Sequence, residues 1–194
     1  SLNTPGAVVP VDPTDNTTFV VSTVNIEENG KRSPIRYTMP PGINRVQDPT
    51  SQNVVKQNEQ SLSLKVCNLK AGDSRAAYKT TNSDIRNYKN MKMFVHAEGK
   101  NLKDGDISAF VRIGTDLVSN YYEYEIPLRI TADGTYAPDQ IWKVENEFDF
   151  ALSDLFNSKD LRSNALVPLN RPFSYNNAKG HKITVLGLPD LSNV

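Results

Sequence analysis

One cysteine, two histidines, no surplus of either charge and no long apolar run set the first limits on this 194-residue chain. With Cys67 alone, an internal disulfide and a cysteine-cluster metal site are both excluded, so stability has to come from packing. Cys67 follows Val66 in a strand-like segment, where a small buried or half-buried thiol is expected rather than a nucleophile. His96 and His181 are the only histidines, which excludes a multi-histidine zinc site within the chain. The 22 basic and 22 acidic residues cancel. Without a long-range field to gather nucleic acid or anionic lipid, nucleic-acid binding is disfavoured. No apolar stretch approaches the roughly 18 residues that a membrane-spanning helix needs, so this domain is expected outside the bilayer. The Gly-x-Ser-x-Gly elbow and the glycine-rich phosphate loop are missing too, which weighs against hydrolase and nucleotide chemistry.

What the chain does have is a series of short alternating segments separated by turn residues. Residues 1–18, with Pro5, Pro10, Pro13 and Gly6, read as an extended lead-in, and Phe19–Ile26 as the first strand. Glu27–Gly30 reads as a turn and Arg36–Met39 as a short edge strand, stopped by Pro40 and Pro41. Val46–Gln60 is polar and amide-rich, as suits a surface loop. Ser61–Val66 then alternates strictly, which predicts that Leu62, Leu64 and Val66 face the core. Arg75–Lys79 reads as a strand after the turn at Ala71–Asp73, and Asp84–Asn90 as one or two helical turns.

Further along, alternation puts Met91, Met93, Val95 and Ala97 on one face and Lys92, Phe94, His96 and Glu98 on the other. Asp104-Gly105-Asp106 turns the chain. Ile107, Ala109, Val111 and Ile113 then share a face opposite Ser108, Phe110 and Arg112; if these strands are neighbours, Phe94 and Phe110 meet. Tyr122, Tyr124, Ile126, Leu128 and Ile130 form the inner face of the next strand, with Tyr121, Glu123, Glu125 and Arg129 outside and Pro127 marking an edge or bulge. After the turn at Asp133-Gly134, Trp142 and Phe148–Phe150 are expected at the margin of the core, Leu152–Phe156 as a short helix and Lys182–Leu186 as a closing strand.

Many short strands, little helix and no internal repeat predict a mainly β protein: a jelly-roll-like antiparallel β-sandwich with one or two short helices, favoured over a barrel or an immunoglobulin-like sandwich. One domain is expected over 19–194, with 1–30 as the lead-in and first strand. The opening Ser1-Leu-Asn-Thr-Pro-Gly, with no initiating Met and no signal-peptide pattern, reads as a cut inside a longer protein.

Candidate chemistry is sparse. His96 with Glu98, or Glu123 with Glu125, supply the paired carboxylate or acid–base side chains of a glycosidase, but i and i+2 share a strand face by geometry alone. An enzyme is therefore not expected, and no catalytic residue or cofactor is assigned. Asp104 and Asp106, with Asn101 nearby, are weak calcium candidates, since the spacing and closing glutamate of an EF-hand loop are absent. Phe94, Phe110, Tyr121, Tyr122, Tyr124 and Trp142 are the set a sugar-stacking platform would use. Alternation instead buries Tyr122 and Tyr124 and leaves Phe94, Phe110 and Tyr121 on the face opposite the core as the candidate interaction surface for another part of a larger protein.

Several segments together resemble a known family. Gly72-Asp-Ser-Arg-Ala-Ala-Tyr-Lys79, Tyr88-Lys-Asn-Met-Lys-Met-Phe-Val-His-Ala-Glu98, Asp104-Gly-Asp106, Phe110-Val-Arg-Ile-Gly114 and Asn120-Tyr-Tyr-Glu-Tyr-Glu-Ile-Pro-Leu128 are similar in order and identity to the gliding-motility and secretion protein family SprA, called Sov in some relatives. Ser33–Ile43, Gln57–Leu62, Ile183–Gly187 and Pro189–Asn193 extend the similarity to nearly the whole chain after about residue 30, with Lys159–Asn177 matching least.

The resemblance implies a piece of a giant outer-membrane β-barrel, the type IX secretion translocon of Bacteroidota, through which folded cargo reaches the cell surface. This chain would be a soluble domain inserted between barrel strands, a cap or pore wall on the extracellular side in preference to the periplasmic one. Implied partners are the rest of the parent barrel, secreted cargo with a C-terminal signal, an outer-membrane shuttle protein and a periplasmic plug protein. The family brings no catalytic residues to carry over. The alternative is a carbohydrate-binding or adhesion module at the cell surface, with a hydrolase third.

Overall fold

A computed structural model describes residues 14–45, 59–81 and 83–192. The amide-rich stretch of 46–58 and the first thirteen residues of the lead-in lie outside the described residues. The fold is mainly β with antiparallel pairing throughout, as the alternation implies.

The main sheet runs in the order β4–β5–β8–β7, where β4 is Ser108–Asp116, β5 Asn120–Pro127, β7 Phe173–Asn176 and β8 Lys182–Leu186. Tyr124 pairs with Val111 on one side and Ile183 on the other, which puts the apolar residues of three strands on one face. A second layer covers that face. It consists of the β3–β6 ribbon (β3 Asn90–Met93, β6 Phe148–Ala151) and the helix α3 (Leu152–Asn164) that follows β6. Tyr122, Tyr124, Ile126, Phe148, Phe150, Leu155, Ile183 and Val185 fill the space between, each at most 4% exposed. Side chains of this size each contribute roughly 1.5–3 kcal/mol by burial. Phe148 and Phe150 thus lie in the centre of the sandwich, not at the margin the sequence suggested.

Helix α3 is longer than the single turn or two expected at Leu152–Phe156. Leu152, Leu155, Ser158 and Arg162 recur along one face and are buried. Arg162 donates to the Gly187 carbonyl at 2.7 Å, and Lys159 to that of Pro189 at 2.9 Å, so the last turns of the helix hold the chain leaving β8. Strand β7 was not anticipated: Phe173-Ser-Tyr-Asn176 is short and half polar, and it pairs because β8 offers a free edge.

Away from the sandwich, β1 (Thr18–Asn25) and β2 (Gln60–Cys67) pair, among the described residues, only with each other, in eight register positions. Where β1 ends, Asn25 caps one helical turn, α1 (Ile26–Asn29), by accepting from the Glu28 amide at 2.8 Å. A second cluster, Ile35, Tyr37, Ile141 and Trp142, with Val24, Ile26 and Phe94 against it, joins this ribbon to the sandwich. Ile141 ends the short helix α2 (Pro138–Ile141), which is followed by a 3-10 turn at Val144–Asn146. Trp142 is 8% exposed, donates from Nε1 to the Thr38 carbonyl at 2.8 Å, and meets Tyr37 and Phe94 edge-on.

The second cluster explains several departures from expectation. Arg36–Met39 forms no strand: prolines on both sides remove ladder donors, and Tyr37 bonds instead to the Asn29 carbonyl at 3.0 Å while its ring enters the cluster. Arg75–Lys79 is likewise outside any strand, with no sheet edge to pair with, and Asp84–Asn90 makes a turn rather than a helix. On the β1–β2 ribbon Leu62 and Leu64 are exposed, against the prediction that they face the core, and Cys67 is exposed rather than buried or half-buried. No helix among the described residues is long and apolar enough to cross a membrane.

The tip of the β4–β5 hairpin locks onto the exit from β8. Asp116 accepts from the amides of Val118 and Asn120 and from Asn120 Nδ2, while Asn120 Oδ1 accepts from the Leu188 amide at 2.9 Å. These contacts pull the Asp116 carboxyl down to about 2, the Asn120 side chain being the largest cause. Gly187 passes between with φ of +65°, where an added Cβ would lie 2.1 Å from the Ser119 carbonyl oxygen. Gly187→Ala is therefore expected to cost about 3 kcal/mol in urea unfolding, from backbone strain plus the clash. A loss below about 1 kcal/mol would show that this hairpin tip moves aside freely.

Candidate functional site

The three aromatic residues singled out from the sequence do not form one surface. Phe110 and Tyr121 do lie on the outer face of the main sheet, where the Arg112 guanidinium sits 3.9 Å from the Tyr121 ring centre and 5.6 Å from that of Phe110. Arg112 also donates from Nε and Nη2 to Glu123 Oε2, at 2.9 and 2.6 Å, and from Nη1 to the Leu117 carbonyl at 2.6 Å. Under this cover Tyr121 is only 9% exposed. Phe94 lies elsewhere, against Trp142 in the second cluster, because β3 pairs with β6 and not with β4.

The carboxylates have structural partners. Glu123 is paired with Arg112, Glu125 with Lys182 at 2.8 Å, and Glu98 with Arg32. Neither i, i+2 pair presents two free carboxyls across a cleft, the arrangement glycoside hydrolysis needs. Asp104 accepts from the Ile130 amide at 2.7 Å and lies 3.3 Å from Arg129; the Ile130 hydrogen bond is the chief cause that holds its carboxyl below the usual range. Asp106 accepts from the Lys103 amide at 2.8 Å, and Gly105 between them has φ of +84°, as the turn requires. Both aspartates thus build a turn that ties residues 103–106 to 128–130. Among the described residues no group of three or more acidic, histidine or cysteine side chains is placed to hold a metal ion.

The feature of the surface that stands out is the β1–β2 ribbon. Thr23 lies opposite Leu62, Val21 opposite Leu64 and Phe19 opposite Val66, so one face carries Phe19, Val21, Leu62, Leu64 and Val66 and no charge. Leu62 is 59% and Leu64 49% exposed. The far end is tied by the Arg75–Asp15 ion pair and by Thr17 Oγ1 donating to the Asn68 carbonyl at 2.9 Å, which holds the strands in register to the tip. A two-stranded ribbon on its own is marginal in water, and among the described residues this one shows an uncharged apolar face. Alternation in the sequence revealed this apolar face; it gave no sign that the rest of the domain leaves it uncovered.

Two outcomes check this description. Leu62→Asp with Leu64→Asp is expected to change the stability of the isolated chain by no more than about 1 kcal/mol, whereas Phe150→Ala costs about 3–5 kcal/mol; a large loss from the ribbon pair would mean that its face is packed. Thermal unfolding with and without a chelator is expected to give the same midpoint, and a fall on chelation would assign a cation to Asp104 and Asp106.

Residues 6–194 match the family model SprA_N, described as a motility related/secretion protein. No curated protein matches the chain.

Proposed function

We propose that this chain, which belongs to the SprA_N family of motility related/secretion proteins, is a non-enzymatic structural domain of a large outer-membrane translocon, forming a cap or pore-wall insertion along the path of exported protein. Membership of the family gives the chain a part in motility and secretion and thereby an envelope-related role. The finer reading adds type IX secretion and gliding motility, a parent β-barrel in the outer membrane, and a position on its extracellular side.

The observation that supports a mechanical role is the division of the domain into two parts. The sandwich is closed on itself, with its large side chains buried and its outer carboxylates paired to Arg112 and Lys182. The ribbon is open, with Leu62 and Leu64 in solvent. A rigid body with one apolar arm does its work by where it sits and what the arm touches. In this reading the sandwich shapes the exit path and the ribbon docks on the rest of the parent barrel. Cargo carrying a C-terminal signal passes beside it, and the outer-membrane shuttle protein and the periplasmic plug protein are partners of the whole assembly.

A glycan-binding module would use an aromatic platform, and the arrangement here does not favour it: Arg112 covers Tyr121, and Phe94 belongs to the Trp142 cluster. In cells whose full-length parent lacks this domain in frame, export of a cargo with a C-terminal signal is expected to fail although the barrel still assembles. Normal export with altered surface adhesion would instead establish the binding-module reading.

A further inference from the structure

The joint between the β1–β2 ribbon and the sandwich is poorly satisfied for a buried contact. Four buried side-chain polar atoms among the described residues have no hydrogen-bond partner, and three of them, Thr38 Oγ1, Glu59 Oε2 and His96 Nε2, lie at this joint. Tyr37 spans it, donating from its hydroxyl to Glu59 and sharing a 2.8 Å hydrogen bond with Ser61 at the start of β2, while its ring meets Trp142. His96 packs on the other side of Trp142, ring centres 6.0 Å apart at 62°. Orphaned buried polar atoms are costly and uncommon in well-packed proteins, so three of them at one seam weaken it.

We propose that His96 is a proton-sensitive latch for this joint: a proton taken up by its imidazole opens the packing around Trp142 and releases the β1–β2 ribbon from the sandwich. The neutral ring fits an apolar seam of Trp142, Phe94 and Tyr37; the imidazolium would bring a second buried N–H donor, and a charge, into a place that offers Nε2 no acceptor. The charged groups acting on it are Glu98, two residues along its own segment, and Arg32 from the segment before Ile35. They oppose each other. Glu98 favours the proton, but is already engaged by Arg32, whose own charge disfavours it. The turn that carries Trp142 is flanked by Asp139 and Lys143, and Glu59 faces Tyr37.

Burial is the largest cause holding the His96 imidazole below its ordinary value of 6.5. The sign follows: the unfolded or opened form takes the proton at a higher pH than the closed form. The closed joint is therefore at full strength above about pH 6.5 and weakens as pH falls through the depressed folded value.

The chain contains one tryptophan, and it sits in the seam, which makes the test direct. Acrylamide quenching of Trp142 in the 194-residue chain is expected to rise severalfold between pH 7.5 and 5 while the far-ultraviolet circular dichroism of the sandwich is unchanged. His96→Phe is expected to abolish the rise. His181→Gln, which alters the other histidine, and Glu59→Gln, which removes a second carboxylate of the joint, are expected to keep it. If His96→Phe does not fold, the imidazole resonances and amide exchange of Trp142 in the unaltered chain supply the answer, since the latch requires both to change with the same midpoint. Quenching that does not change with pH, that still changes in His96→Phe, that is lost in Glu59→Gln or His181→Gln, or that accompanies loss of the β signal would each overturn the proposal.

Discussion

Tyr124 is the contact on which the rest of the domain depends. Its ring is stacked on Phe150 at 3.9 Å and 5° and meets Phe148 edge-on, which is how the main sheet holds the β3–β6 layer. Its hydroxyl shares a 2.9 Å hydrogen bond with His181 Nδ1 and accepts from Asn177 at the same distance, fixing the turn between β7 and β8. One side chain thus joins both layers and the turn of the last hairpin. A large aromatic residue serves here because it buries much apolar area and still carries a polar end that finds partners at the rim of the core. Tyr122, two residues earlier, repeats the arrangement toward α3, with Phe156 edge-on and the Lys159 ammonium over its ring.

The sandwich built on these contacts is self-sufficient, and the remaining elements are hung from it. The Trp142 cluster attaches the ribbon, and Arg162 with Lys159 fastens the segment after β8. Among the described residues, Glu123 and Glu125 are engaged in cross-strand pairs and Asp104, Asp106 and Asp116 in turn amides, while Leu62 and Leu64 are exposed on an arm. The chain belongs to a family of motility related/secretion proteins.

Alternation made β4, β5 and β8 readable because each has one buried apolar face and one charged or polar face. The turns at Gly72, Gly105 and Gly134 followed from local chemistry, the three glycines adopting positive φ, whereas the Asp116–Asn120 hairpin tip was not read from the sequence. Pairing was less legible. Arg75–Lys79 has strand-like residues and no strand edge beside it, while Phe173–Asn176 has weak residues and the free edge of β8. The same local pattern reads identically whether or not a partner arrives, so Leu62 and Leu64 were sent to a core that lies elsewhere. His96 is the converse case: alternation placed it with Lys92 on a polar face, yet β3 ends at Met93, and beyond it the Trp142 cluster covers that side of the chain. Of the candidate surface, the common face of Phe110 and Tyr121 was foreseeable from alternation; the Arg112 cover and the separation of Phe94 depend on strand order.

The central claim is that the apolar face of the β1–β2 ribbon is covered within the parent protein. The most direct test places a photo-crosslinking amino acid at Leu64 in the full-length parent in growing cells, with Lys65 on the opposite face as the control. The account predicts a strong crosslink from position 64 to another segment of the same polypeptide and a weak one from position 65. No crosslink from position 64, or equal capture of unrelated molecules from both positions, would contradict it.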